Sequence, residues 1–404
     1  MVEKNYQVYG YRWVVLAVFM FVNVTVQILW ISYASITGVA AEYYGVTDLQ
    51  IGFLAMSFMI VYIPISIPAS WAIDTHGIRK GIGFGAVILA VFGIIRGTWA
   101  TDYTTVLMAT IGIAISQPFF LNAYTTVAAK WFSIDERATV SGLATVATFI
   151  GIAIGMVVTP LLIVEYDIPT TQLIYGIAAA ISSVTFLLFA KESPPTPPCP
   201  PELEERALML DGLKQMLKIR DVWYMLFIFL VGMGIFNGIS TWIENIVRPR
   251  GFTFSQAGEL GAFFLLGGIL GAIVLPTLSD KFRKRKIFML LGMALAIPGL
   301  IGVTYANSYW LMVISILGLG FFMVGLAPVG YQYVAEITYP APEGTSNGLL
   351  VLAGQVSVVF VYAMEALKGS DGSFTTSLLM LLGLMILGVG ILFKLKESTM
   401  IGEG

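Results

Sequence analysis

The sequence predicts an all-α membrane protein with twelve transmembrane helices in two six-helix, pseudo-symmetric bundles. Three observations carry that prediction. Of 404 residues, 57% are hydrophobic and 11% charged, and the mean hydropathy is +0.86; soluble domains carry about 25% charged residues. A soluble core of this size cannot hide so much apolar surface, so lipid must be the solvent. Apolar runs also recur at about the twenty residues that a bilayer core demands, and a single offset of 206 positions lays cap and loop residues of the first half onto the second.

The runs place spans 1 to 6 near 12–41, 48–73, 81–101, 103–129, 138–163 and 170–190. Spans 7 to 12 follow near 221–247, 255–279, 286–306, 308–335, 344–367 and 374–394. Thr47 with Gln50, and Thr253 with Gln256, have the spacing of a helix-opening capping box. The first run is far longer than a signal-peptide core, so it reads as an uncleaved span.

Basic residues in short loops set the orientation. With the N-terminus cytoplasmic, all of the 22 lysines and arginines except Arg96, Arg248, Arg250 and Lys368 fall inside. Both termini are then cytoplasmic, and a multi-pass protein of the cell membrane is expected. The formal net charge of −2 suggests no nucleic-acid partner.

Residues 1–190 form the first bundle in this reading, 191–220 a cytoplasmic linker and 221–404 the second bundle. The linker opens with Pro194, Pro195, Pro197, Pro198, Pro200 and Pro201, which cannot continue a helix. Glu202, Glu204 and Glu205, then Lys214, Lys218 and Arg220, suggest a short surface helix after it. A spacer and a partner-binding PxxP segment are both compatible with that composition. One cysteine, Cys199, and one histidine, His76, leave little for a disulfide, a metal site or histidine catalysis, and no cofactor is expected.

Under the 206 shift Gly45 meets Gly251, Thr47 meets Thr253, Gln50 meets Gln256 and Gly52 meets Gly258. Asp74 likewise meets Asp280, Arg79 meets Arg285, Lys80 meets Lys286, and Gly142 meets Gly348. Asp74-Thr-His-Gly77-Ile-Arg79-Lys80 and Asp280-Lys-Phe-Arg-Lys-Arg285-Lys286 resemble the signature of major facilitator superfamily transporters between helices 2 and 3, and its weaker copy between 8 and 9. The usual glycine four residues before the aspartate is Ser70 here and Pro276 in the copy. An acid, a tight turn at Gly77 and a basic pair suit a charge-paired cytoplasmic latch, although the cations could equally just enforce topology. The resemblance implies that the first latch faces Glu343 and the second Glu136 and Arg137. It also implies the major facilitator fold, two parallel repeats about an axis along the membrane normal, and a monomer.

Polar groups at mid-bilayer are expensive and usually face a cavity or another helix. Counted along each span, the mid-depth candidates are Gln27, Trp30, Gln117, Asn122, Asn237 and Gln355, from spans 1, 4, 7 and 11. In the fold implied, those four helices line the central pathway. Trp30 meets Phe236 under the shift, and Gly232, Gly234 and Gly238 around Phe236 allow bending or close packing. Each glutamine or asparagine could instead be interhelical glue. Tyr43, Tyr44, Trp99, Trp242, Tyr305 and Trp310 read as interface-belt aromatics.

No charge falls at mid-depth: Arg96, Glu244, Glu259 and Glu365 lie near outer span ends and Glu336 near an inner one. A proton-coupled pump normally needs a titratable group in its pathway, so facilitated transport is favoured. Gly151 and Gly155 in span 5 have GxxxG spacing but lack the Gly-Pro pair associated with drug antiporters.

Residues 320–350, which include Ala335-Glu-Ile-Thr-Tyr-Pro340 and Glu343-Gly-Thr-Ser-Asn-Gly-Leu-Leu350, resemble the feline leukemia virus subgroup C receptor-related transporters. Trp30-Ile-Ser-Tyr33, Tyr44-Gly-Val46, Pro68 to Gly77 and Lys130-Trp-Phe132 agree, over about residues 13–365. That family is associated with choline and ethanolamine import and haem export. Its ligand pocket implies roles for Trp30, Gln117, Phe236 with Asn237, and Gln355. Asn237 stands where the choline carriers have a tyrosine. A quaternary ammonium over a tryptophan face needs no carboxylate.

The expectation is therefore a secondary transporter, with no enzyme activity, that moves a small polar or cationic solute by alternating access. Its partners are that solute and the lipid bilayer. A proton- or cation-coupled efflux pump for amphiphilic compounds, and a non-transporting receptor on the same fold, are the alternatives.

Overall fold

The computed structural model describes residues 8–198, 214–339 and 343–398. The expected surface helix around Glu202–Glu205, Cys199 and the side chain of Glu343 lie outside the described residues. Among the described residues, eleven helices are long and apolar enough to cross a membrane, and one of them, Asp48–Thr98, has 51 residues. At 1.5 Å per residue it would run ~75 Å, more than twice a bilayer core. It is broken at Gly77, where φ 85° and ψ 173° leave the helical region. Spans 2 and 3 are thus separate, and twelve spans result. The tight turn expected at Gly77 is present.

Two compact units, Met1–Glu205 and Arg206–Gly404, each hold six spans. Their internal packing repeats. In the first unit span 1 packs on span 5, and the Asp48–Thr98 helix packs on spans 4 and 6. In the second, span 7 packs on span 11, span 8 on span 10, and span 9 on spans 10 and 12.

Local geometry follows the 206 offset closely. Gly45 and Gly251 both end a helix in the left-handed region, at φ 65° and 83°. Thr47–Gln50 and Thr253–Gln256 are complete capping boxes, with the Thr side chain accepting from the Gln backbone N–H and the Gln side chain from the Thr backbone. Tyr44 donates its hydroxyl to the Ala100 carbonyl at 2.7 Å, and its mate Arg250 donates to the mate carbonyl, Ala306, at 3.2 Å. Arg283, the mate of Gly77, also has positive φ, 51°.

The first unit uses its glycines for close approach. A Cβ on Gly151 would meet the Val24 carbonyl, and one on Gly155 would press against Ile31 and Ile28 of span 1. Their mates in span 11 are Ser357 and Val361, where span 7 is joined by hydrogen bonds instead. The GxxxG spacing is thus a span 1–span 5 packing device.

The belt reading is compatible with the exposure of Trp99, Tyr43, Tyr305 and Trp310, while Tyr44 is half-buried. It fails for Trp242, which is fully buried and donates its indole N–H to the Val361 carbonyl. A tryptophan near a span end can as well close a helix junction as sit at the headgroups.

Candidate functional site

Within the membrane, an interrupted helix frees backbone groups that only protein can satisfy. Spans 1, 4, 7 and 11 are interrupted, and these are the same four helices that carry the mid-depth polar residues. In span 1 the α-helix stops at Ile31, a 3-10 turn covers Ala34–Ile36, and the helix resumes over Thr37–Tyr44. Span 7 leaves helical geometry at Trp242 (φ −103°, ψ 16°), the repeat mate of Ile36 (φ −131°, ψ 23°). Span 4 is interrupted after Leu121 and span 11 at Ser357.

Each interruption is fastened by a side chain. Arg96 of span 3 donates to the Leu29 carbonyl at 2.8 Å and to Ser32 Oγ at 3.2 Å. Trp242 reaches the Val361 carbonyl at 2.9 Å, and Asn237 Nδ2 donates to Ser357 Oγ at 3.0 Å. Asn122 is fully engaged: Tyr62 donates to its Oδ1 at 2.6 Å, and its Nδ2 faces the Ser66 carbonyl and the hydroxyls of Ser66 and Ser70. Ser70, the departure from the signature glycine, therefore serves as an acceptor here. Of the mid-depth candidates, Asn122 spends its whole amide on the fold and Asn237 its Nδ2.

The glutamines do not. Gln27, Gln117 and Gln355 are 2%, 5% and 9% exposed, and among the described residues none of their side chains makes a hydrogen bond. Their amide atoms are not fully enclosed, unlike those of Gln172 on span 6, which are buried without a partner, so three of the four interrupted spans each carry an amide that is reachable and open to donate or accept. Trp30, 7% exposed, donates Nε1 to the Ala55 carbonyl at 3.1 Å; the indole N–H is used up and the ring is held. Phe236 stacks on Phe264 with ring centres 5.7 Å apart. Each unit thus carries neutral amides and aromatic rings on its interrupted spans: Gln27, Trp30 and Gln117 in the first, Phe236 and Gln355 in the second. No group of three His, Cys, Asp or Glu able to hold a metal occurs among the described residues.

Within each unit the signature segments also make a contact that the sequence did not announce. Asp74, Arg79 and Lys80 are exposed. The backbone N–H groups of Ile78 and Arg79 donate to the Glu192 carboxylate at 3.2 and 2.9 Å, and Lys130 pairs with the same carboxylate. A Cβ on Gly77 would land on that carboxylate. In the second unit the backbone N–H groups of Arg285 and Lys286 donate to Glu397 at 2.7 and 3.0 Å. Glu192 and Glu397 sit in matching Lys-Glu-Ser stretches just after spans 6 and 12. The carboxylate thus rests at the N-terminus of span 3 or 9, where free N–H groups favour an anion. Glu136 pairs with Arg12 of its own unit at 2.6 Å, and Arg137 donates to the Ala129 carbonyl.

Arg285 also binds Asp280 and Glu336. Burial disfavours its charge, but hydrogen bonds and attraction from both carboxylates outweigh that and raise its pKa. At the loops, Asp102 and Asp167 cap spans 4 and 6 by accepting from Thr105 and Thr170, which lowers both carboxyl pKa values.

Sequence reasoning missed Arg96 as a buried group, since its place three residues from the end of a helix reads as a snorkelling cation. It missed Glu192 and Glu397 because their offset is 205 rather than 206; the shared Lys-Glu-Ser string was the available signal.

Comparison with known proteins bears on the whole chain. A family model described as Major Facilitator Superfamily matches residues 13–258 and 244–401. The Uncharacterized MFS-type transporter C09D4.1 of Caenorhabditis elegans is 29% identical over 93% of this chain and 67% of its own length. Solute carrier family 49 member A3 of Xenopus tropicalis is 28% identical over 90% of this chain and 79% of its own. Choline/ethanolamine transporter FLVCR2 of Rattus norvegicus is 26% identical over 90% and 70% respectively. The resemblance read from residues 320–350 thus extends to most of the chain. Among solved structures, a D-xylose-proton symporter aligns with TM-score 0.75 at 13% identity, covering 96% of this chain and 99% of that one. A bacterial homolog of the human lysosomal transporter Spinster aligns with TM-score 0.73 at 14% identity, covering 96% and 97%. These two likenesses establish the fold.

Proposed function

Because the chain belongs to the Major Facilitator Superfamily, and is a multi-pass membrane transporter rather than an enzyme, we propose that it carries a small polar or cationic organic solute, with a choline-like amine as the favoured class, by facilitated alternating access. Three glutamines on interrupted spans, Gln27, Gln117 and Gln355, whose side chains are largely buried yet make no hydrogen bond and keep their amides reachable, are the observation that carries this reading. Trp30 and Phe236 supply ring faces, and cation–π attraction is worth about 0.5–2 kcal/mol when desolvated. Neutral amides and rings can hold a quaternary ammonium, whose charge needs no proton partner, and the hydroxyl that choline adds needs a donor or acceptor such as a glutamine. The names of relatives that transport choline and ethanolamine support the same class. Asn122 and Asn237 act in this reading by holding spans 4 and 11 rather than by touching solute.

The protein is placed in the cell membrane with both termini cytoplasmic, and 191–220 links bundles 1–190 and 221–404. Asp74, Gly77, Arg79, Lys80, Asp280, Arg285, Glu136, Arg137 and Glu343 belong to cytoplasmic latches that open and close in the cycle. Uptake of radiolabelled choline into proteoliposomes tests the reading. Trp30→Ala and Gln355→Ala should each reduce uptake at least tenfold with expression retained, and a proton gradient should drive no accumulation. Uptake unchanged in both variants would remove the site assignment.

A further inference from the structure

Arg96 is 1% exposed, inside a membrane-embedded unit, and its guanidinium bonds no carboxylate among the described residues. A buried cation without a paired anion is costly and is retained where it does something. Its two acceptors, the Leu29 carbonyl and Ser32 Oγ, flank Trp30 on the turn where span 1 stops being helical. The carbonyl end of a helix carries partial negative charge, and the Tyr33 ring lies 5.7 Å from the guanidinium carbon. These supply the countercharge that a carboxylate would give. Arg96 Nε stays buried without a partner, so the fastening is incomplete.

The repeat shows that this arginine is not part of the duplicated scaffold. Its mate is Gly302, where a Cβ would collide with the Ser315 side chain, and the equivalent interruption in span 7 is fastened by Trp242 instead. In the first unit a guanidinium fastens the junction, and it does so beside the candidate ligand aromatic.

We propose that Arg96 is a positioning residue that clasps the interruption of span 1 and thereby sets the angle of the Trp30 ring toward solute. This rests on the reading of Trp30 as a ligand group. The ring itself is tied by its N–H to the Ala55 carbonyl; with the Leu29–Ser32 turn released, the backbone that carries Trp30 shifts and the indole turns about that bond. A guanidinium supplies both donors; a lysine supplies the charge and one strong bond, so Arg96→Lys keeps most of the function and Arg96→Gln, uncharged and shorter, loses it. The cost of loss falls on solute affinity and on the openness of residues 32–36, not on the remaining helices.

The test uses the full chain in nanodiscs on a Cys199→Ser background, with Ser35→Cys as reporter. Ser35 is fully buried and its hydroxyl bonds nothing. Labelling by a water-soluble maleimide should be slow with Arg96 present, about tenfold faster in Arg96→Gln, and within about threefold of the parent in Arg96→Lys. Choline dissociation constants, measured on the same preparations, should rise about tenfold in Arg96→Gln and recover in Arg96→Lys. Ser32→Ala, which removes one acceptor and leaves the cation, covers the case in which Arg96→Gln does not fold, and should give a smaller change of the same sign in both readouts. Unchanged labelling in Arg96→Gln, or in Ser32→Ala where that variant stands in, overturns the clasp. Faster labelling with unchanged choline affinity, in a protein whose Trp30→Ala variant has lost choline binding, overturns the positioning role. Choline binding that survives Trp30→Ala sinks the ligand reading alone, and the labelling rates then still decide the clasp.

Discussion

Gly77→Ala removes two things at once. The backbone there, φ 85° and ψ 173°, lies in a region open essentially to glycine, and holding another residue in it costs about 1–3 kcal/mol. The added methyl also takes the space of the Glu192 carboxylate, which accepts two backbone N–H bonds and pairs with Lys130. Glu192 and Lys130 side chains are 41% and 31% exposed, so water screens the pair and the whole set is worth only about 1–2 kcal/mol. The expected total is about 3 kcal/mol, or a midpoint lowered by roughly 6–12 °C for a unit of this size. Thermal unfolding of purified protein in nanodiscs, followed by tryptophan fluorescence, measures it. Glu192→Ala alone should cost about 1–2 kcal/mol, and the double variant should cost less than the sum, because the displaced carboxylate is counted once. Gly142→Ala, at an exposed helical position with nothing within 4 Å, should be neutral or stabilising by up to ~1 kcal/mol. A Gly77→Ala midpoint within about 1 °C of the parent, or strictly additive single variants, would refute this account of the turn.

Trp242→Phe keeps a large buried ring but loses the indole N–H bond to the Val361 carbonyl, for a loss of about 1 kcal/mol; Trp310→Phe, at a 72% exposed position, should leave the same unfolding midpoint unchanged. The Asp102 and Asp167 caps have carboxyl pKa values lowered by folding, so their contribution is complete above the unfolded value near ~4 and is lost as pH falls through the lower folded values. Amide exchange in the first turns of spans 4 and 6 should therefore show extra opening only below about pH 4, after correction for intrinsic rates.

Much of this fold was legible before any coordinates. Span lengths, the capping boxes at Thr47 and Thr253, the turn at Gly77 and the 206-residue repeat are local or periodic signals. The nomination of spans 1, 4, 7 and 11 followed from where Gln27, Trp30, Gln117, Asn237 and Gln355 fall. The interruptions themselves were not legible. Ile36, Trp242 and Ser357 are ordinary helix residues, and what accompanies each break is a bond between spans: Arg96 to the Leu29–Ser32 turn of span 1, Asn237 to Ser357 of span 11, and Trp242 from its own break to Val361. Whether a mid-membrane amide is open or used is likewise a tertiary property, which is why Asn122 and Gln117 looked alike in sequence and differ in structure.

Glu192 and Glu397 each stitch the chain leaving a sixth helix back onto the opening turn of a third. Each half therefore carries a fastener of its own. A protease site or reporter inserted into the proline stretch beyond Ser193 would lie downstream of the first stitch and far upstream of the second, so the polypeptide can be nicked or lengthened there with both knots still tied.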